Sequence, residues 1–243
     1  MSDVLEIARI GLSSLQARVS GSAANAANAL TPGYRRKVAA PAPQFHVAMR
    51  DAAATTATAP AHPEFARDAS AGSMRATGRT ADVAIPTPNV FFLLSDGARQ
   101  FVTRAGNFRT DAENRLVAFN GLRVQGEQGD IVLPPGRIEI DERARISVEG
   151  IPVASLALVT PESPETLDFA DAGVIAPTTR WHAAGLDAMR VRPGHLEESN
   201  VDHGAEMLAL MANVRQYESL VRASQGYDDM LSRAIQKLGD LQG

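Results

Sequence analysis

Two proline-free stretches, one at each end of the chain, constrain its fold more than any other feature. The first, about Ser2 to Leu30, sets Leu5, Ala8, Leu12, Leu15, Val19, Ala26 and Ala29 on a three-four spacing, with Ser22 in the remaining slot. The second, about Val201 to Leu241, repeats Met207, Leu210, Val214, Tyr217, Val221, Leu231, Ile235 and Leu238 on the same spacing, with Ser224 and Asp228 in the intervening slots. Each predicts one long helix with a narrow apolar stripe, on the order of 40 Å and 60 Å in length. Thr31-Pro32-Gly33 ends the first, because proline biases the preceding residue away from the helical region and glycine accepts positive φ. Asn200 or Asp202 is placed to cap the second, with Glu206 near the positive end of its dipole. A narrow stripe at each end predicts that the two helices pack against each other as a coiled coil. A two-helix pair buries little by itself, so helices from neighbouring subunits are expected to join it.

Between the ends the pattern changes twice. Residues 37–76 carry Pro41, Pro43, Pro60 and Pro63 and the Ala/Thr tract Ala52–Ala59, which predicts an extended or mobile connector. From Thr77 onward, short apolar runs alternate with turn signals. The predicted strands are 82–85, 90–94, 100–104, 108–110, 116–118, 122–125, 131–133, 138–140, 145–148 and 154–159, with Asp96-Gly97, Asn120-Gly121 and Glu149-Gly150 as turns. The expected class is therefore α+β: long N- and C-terminal helices packed as a coiled-coil layer, plus a central antiparallel all-β domain. The expected domains are 1–36 with 200–243 as a helical core, 37–76 as connector and 77–199 as a β-rich outer domain.

Composition narrows the chemistry. The 243 residues contain no cysteine, which excludes disulfides, thiolate metal sites and cysteine nucleophiles. A formal net charge of -4 gives no global attraction to nucleic acid or to an anionic membrane. No apolar run approaches the roughly 18 residues of a membrane span, and Asp3 and Glu6 stand where a signal peptide needs a basic start. The five histidines show neither an H-x-x-x-H pair nor a ligand-type carboxylate arrangement, and Glu127 follows the Gly121–Gly126 spacing where a phosphate loop needs lysine. No catalytic, cofactor or metal residue is assigned. The acidic turns Asp111/Glu113 and Asp141/Glu142 are weighed as a two-carboxylate glycan hydrolase, but the alternating charges fit solvated turns better. Tyr34-Arg35-Arg36-Lys37, the one compact cationic run, is expected to complement the C-terminal end of the first helix or to pair with acids on another subunit.

Three ordered blocks resemble one family. Asn25-Ala26-Ala27-Asn28 with Thr31-Pro32-Gly33-Tyr34-Arg35, then Thr77-Gly78 to Ile85 with Phe91-Phe92 and Thr103–Phe108, then Gly194–Val201 with Arg215-Gln216-Tyr217-Glu218, resemble the flagellar basal-body rod and hook proteins. The modest length is nearest to that of proximal-rod members, with distal-rod members second. The resemblance implies a structural subunit of the basal body, exported through the flagellar apparatus without a cleaved signal. It also implies partners among other rod subunits and copies of itself, and neither nucleic acid nor membrane insertion. Subunit packing is expected at Leu5, Leu12, Leu15, Val19, Leu210, Val214, Tyr217, Val221, Leu231, Ile235 and Leu238. Helix-end roles are expected at Asn25, Asn28, Gly33, Ser199, Asn200 and Val201.

Overall fold

A computed structural model describes residues 2–39, 65–162, 168–169, 174–176, 180–185 and 190–239. Most of the expected connector, including its four prolines and the Ala/Thr tract, lies outside them. Helix α1 (Ser2–Ala27) opens the chain. The strands that follow are β1 (Lys37–Ala39), β2 (Phe65–Arg67), β3 (Met74–Ala76), β4 (Val83–Ala84), β5 (Phe91–Ser95), β6 (Gln100–Thr103), β7 (Arg109–Thr110), β8 (Leu116–Val117), β9 (Arg123–Gly126) and β10 (Gly129–Asp130). They continue as β11 (Ile138–Ile140), β12 (Arg145–Val148), β13 (Ile151–Ser155), β14 (Leu158–Pro161), β15 (Asp168–Phe169), β16 (Val174–Ala176), β17 (Trp181–Ala183), β18 (Arg192–Pro193) and β19 (His195–Glu197). Helix α2 (His203–Gly239) closes the described chain.

The chain divides into two compact units, one of Met1–Ala27, Lys37–Ala66 and Asp202–Gly243, the other of Asn28–Arg36 and Arg67–Val201. In the first unit the Asp202 carboxylate caps α2 by accepting the Ala205 N–H at 3.0 Å. Phe65 of β2 lies against α1 at Gly21, where a Cβ would come within 2.7 Å of its ring. The second unit is built on antiparallel pairings. β5 sits between β6 and β9, with Leu93 opposite Val102 and Leu94 opposite Val124, and β11, β12 and β13 form a separate meander. Alternation puts Phe92, Leu94, Val124, Ile146 and Leu158 into one core, where the Phe92 and Phe108 rings meet edge to face with centroids 5.1 Å apart. Gly97, Gly121 and Gly150 take positive φ at the expected turns. The run at 131–133 is not a strand, because Val132 makes only an isolated bridge to Arg115, and the run at 154–159 is split between β13 and β14.

The expected coiled-coil layer is a point of correction. Among the described residues there is one helix at each end and a mixed α+β architecture, without a long coiled-coil pair. The reason is visible in α2: its more protected face runs through Glu206, Leu210, Asn213, Leu220, Ser224 and Tyr227, so three polar side chains interrupt it. Met207, Val214 and Tyr217, three of the five apolar stripe positions whose side chains are described, are exposed instead. The protected face of α1 carries Leu15, Ser22 and Asn25, and Gly11 faces Leu220 closely enough that a Cβ there would stand 3.1 Å from Leu220 Cδ2. A seam needs uninterrupted apolar knobs at both core positions, and neither helix supplies them.

Candidate functional site

The polar heart of the second unit lies where four segments meet: 33–36, 67–72, 104–107 and 197–200. Gly33 follows the turn that ends α1, in which the Thr31 N–H donates to Asn28 O at 3.0 Å and the Thr31 hydroxyl to the Asn28 side chain. Its φ of 69° and its closeness to the 104–105 backbone, 2.6 Å from a would-be Cβ to Ala105 N, leave room for no side chain. The Gly33 N–H donates to Glu197 O at 2.9 Å, which brings the start of this unit against β19.

Behind that contact is a buried ion cluster. Glu197 is 1% exposed; Oε1 meets Arg35 Nη2 at 2.7 Å, and Oε2 meets Arg104 Nε at 2.7 Å and Nη2 at 2.6 Å. The rest of the Arg104 fork donates to Thr87 O and Val90 O through Nη1 and to Ile85 O through Nη2, each at 2.7 Å. All five guanidinium donors are thereby used. Arg35 also donates to Ser70 O at 2.6 Å, and the Gly72 N–H reaches Glu197 Oε1 at 3.3 Å. Burial lowers the Arg104 pKa, and the Glu197 charge and hydrogen bond oppose that shift. Two cations share one anion, and the backbone carbonyls solvate the excess charge. Tyr34 is fully buried beside this cluster, with the Arg67 guanidinium 5.2 Å from its ring centroid.

Asn200 binds the same segments at their rim. Its Oδ1 accepts the Arg36 N–H at 2.7 Å, and its amide donates to Asp68 O at 3.1 Å and Ser70 O at 3.0 Å. The Ser199 hydroxyl accepts the Val201 N–H at 3.2 Å. In the first unit, Asn25 is buried and closes a reciprocal pair with one residue: its amide donates to Lys37 O at 2.8 Å and its Oδ1 accepts the Lys37 N–H at 2.7 Å. Within the cationic run, Arg35 takes its carboxylate from its own chain rather than from a helix end or another subunit.

The proposed packing side chains belong to the first unit. Leu15 is buried; Leu12, Val19, Leu210 and Val221 are half-buried; Val214 and Tyr217 are exposed. The side chains of Leu5, Leu231, Ile235 and Leu238 lie outside the described residues. Sequence reasoning alone does not single out Arg104 or Glu197. The signal available for Arg104 is an arginine set, with Thr103, between the apolar run Phe101-Val102 and the small pair Ala105-Gly106.

The acidic turns are structural. Asp111 Oδ1 accepts the N–H groups of Glu113 at 3.0 Å and Arg115 at 2.8 Å, while Oδ2 takes Arg115 Nε at 2.8 Å. Asp141 repeats this with Arg143, at 2.8 Å, and with Arg145. Burial alone would raise both carboxyls, but the backbone N–H donors and the arginine outweigh it and hold them below the ordinary aspartate range. A general acid for glycan cleavage needs the opposite shift. Among the described residues, no three His, Asp or Glu side chains come together as a metal site, and no helix is long and apolar enough to cross a membrane.

Known proteins resemble this chain over nearly its whole length. It is 30% identical to "Flagellar basal-body rod protein FlgF" of Escherichia coli strain K12 over 234 residues, covering 89% of this chain and 90% of that one. The chain belongs to the flagellar basal-body rod protein family. The FlgF of Salmonella typhimurium strain LT2 is also 30% identical, over 89% of this chain and 90% of its own length. The FlgF of Caulobacter vibrioides is 27% identical over 72% and 73%. The family profile described as "Flagellar basal body rod FlgEFG protein C-terminal" matches residues 192–237, a span that holds Glu197, Asn200 and most of α2. In this rod protein, then, the matched C-terminal segment supplies both the anion of the buried cluster and the long exposed helix.

Proposed function

We propose that this chain is a structural subunit of the bacterial flagellar basal-body rod, of the proximal FlgF type, and that its work is mechanical rather than catalytic. Similarity to FlgF proteins across about nine-tenths of the chain carries this reading. The physical features support it. Polar side chains of the second unit are used in turns and in the buried cluster, and α2 leaves Met207, Leu208, Met211 and Met230 open to solvent. Large apolar side chains left exposed along a helix mark a surface completed by neighbours. The terminal helices join copies of this chain and other rod subunits into an axle that transmits torque. The subunit reaches the basal body through the flagellar export apparatus, without a cleaved signal peptide and without entering the membrane.

Deleting residues 202–243 tests the reading. The shortened chain is expected to be absent from isolated basal bodies and the cells non-motile, while the second unit keeps its β-type circular dichroism. Normal rods and motility from cells carrying only the shortened chain would overturn it. Detection of the uncut chain outside the cell only in a processed form would overturn the export route.

A further inference from the structure

Residues 109–126 and 138–155 fold as one motif used twice. In each, an aspartate binds the arginine four residues on, and the residue before that arginine is left-handed: Asn114 at φ 60° and Ala144 at φ 59°. The pairs Thr110 with Leu116 and Ile140 with Ile146 correspond, as do Val117 with Arg123 and Ser147 with Pro152. Counted on from Arg123 and Pro152, Val153 of β13 holds the place of Val124 of β9, and the β12–β13 register skips it in a bulge. The two differ in what lies beside them. Val124 is covered by β5, where Leu94 stands opposite, and is fully buried. Among the described residues β13 pairs only with β12, apart from its end, where Gly126 bridges Leu156 and the Glu127 N–H donates to Ser155 O at 3.3 Å. Val153 is 38% exposed and Ile151 68%.

Away from that bridge, β13 and the β9–β10 hairpin part to leave an open groove of about 450 Å³, lined by Ile131, Val132, Pro152, Val153 and Glu127 among others. Of the charged lining, Asp130 is bound by Arg123 and Gln125, and Arg145 by Asp141. Glu127 thus sets the net charge of the groove. Pro152 gives this edge one donor fewer, but an edge strand that carries exposed β-branched side chains beside an open groove is a template for another strand.

We infer that this groove receives an extended segment of a neighbouring rod subunit, added to the free edge of β13, apolar against Val132 and Val153 and basic against Glu127. The inference rests on the chain being a rod subunit. β5 supplies the precedent within the molecule, since it covers the equivalent edge in the first copy of the motif with an extended apolar strand.

The test places photoreactive benzoylphenylalanine at position 153 in the full chain in cells, with the same group at exposed Arg137 as control. Basal bodies are then isolated and the adducts mapped by mass spectrometry. The expected result is an adduct at 153, at least fivefold above the control, joined to a segment of a rod subunit that carries Lys or Arg within two residues of the linked position. Glu127→Lys should lower that yield about fivefold, and Glu127→Gln by less, with unchanged circular dichroism. Three outcomes overturn the inference: no adduct although the chain is present in the basal bodies, an adduct to residues 151–155 of a second copy through two-fold edge pairing, or a yield indifferent to Glu127→Lys. Absence of the unlabelled chain from basal bodies would instead overturn the rod reading on which the inference stands.

Discussion

The buried cluster around Glu197 and the long helix α2 are close in sequence and opposite in character. At Glu197 every strong donor has an acceptor within about 3 Å, and the side chains are sealed from water. Along α2 only Glu206 is buried among the described side chains, while Leu208 is 71% and Met211 53% exposed. The first region satisfies itself; the second leaves apolar surface for something else to cover. A subunit that must fold alone and then join a polymer needs both, since its own unit must be determinate before its contacts are made.

The largest effect should come from removing the shared anion. Glu197→Gln keeps the shape but leaves Arg35 and Arg104 without their counter-charge, which should cost about 3–5 kcal/mol. Urea unfolding followed by circular dichroism reads this as a lower midpoint for the β-rich unit; an unmoved midpoint would mean the carbonyls alone suffice for both arginines. Next comes Gly33→Ala, where the left-handed backbone and the 104–105 backbone 2.6–2.8 Å away add to each other. A loss of at least about 1–3 kcal/mol is expected.

Asn25→Ala follows, at about 1–3 kcal/mol, because a buried side chain and its two hydrogen bonds to the Lys37 backbone are lost together. Hydrogen exchange at the Lys37 amide should accelerate more than exchange in the core strands. Acid should act more weakly, through Asp111 and Asp141. Both carboxyls titrate below their unfolded value, so the folded state binds fewer protons. Their contribution is fully present above about pH 3.9 and fades as pH falls through the depressed folded values. The protection of the Arg115 and Arg145 amides against exchange, taken relative to the intrinsic rate at each pH, should fall over that acidic window and stay flat from neutrality down to it. Asp111→Asn and Asp141→Asn should flatten the dependence, each at its own turn.

How much of this was legible depends on the distance over which each feature is determined. Asn120-Gly121 and Glu149-Gly150 announce their turns within two residues, because positive φ is a local demand. The hairpin over 138–148 is readable for the same reason. The ion cluster is not, since Arg104 and Glu197 stand 93 residues apart and Arg36 and Asn200 164 apart. Single-sequence periodicity carries nothing about which of 24 basic residues meets which of 28 acidic ones. The helices failed in a third way. Their lengths are plain, but the stripe at Met207, Val214 and Tyr217 fits a three-four spacing as well as its neighbour through Glu206, Asn213 and Leu220 does, and the more apolar of the two is the exposed one.

That last failure gives the smallest expected change in stability and the sharpest contrast with Glu197. In a free-standing protein the apolar stripe turns inward, because about 25 cal/mol per Å² rewards its burial. Here Met207, Val214 and Tyr217 of the stripe face out, and so do Leu208 and Met211 beside them, 71% and 53% exposed, so replacing Leu208 and Met211 with serine removes little internal contact. The double variant should unfold within about 0.5 kcal/mol of the parent chain. If the open face is the assembly surface, the same variant should be depleted from isolated basal bodies, whereas a partly destabilised Glu197→Gln that still folds should be incorporated. A Leu208/Met211 variant that loses stability would show that the face is covered within the chain. One that keeps both stability and incorporation would show that the rod does not use it.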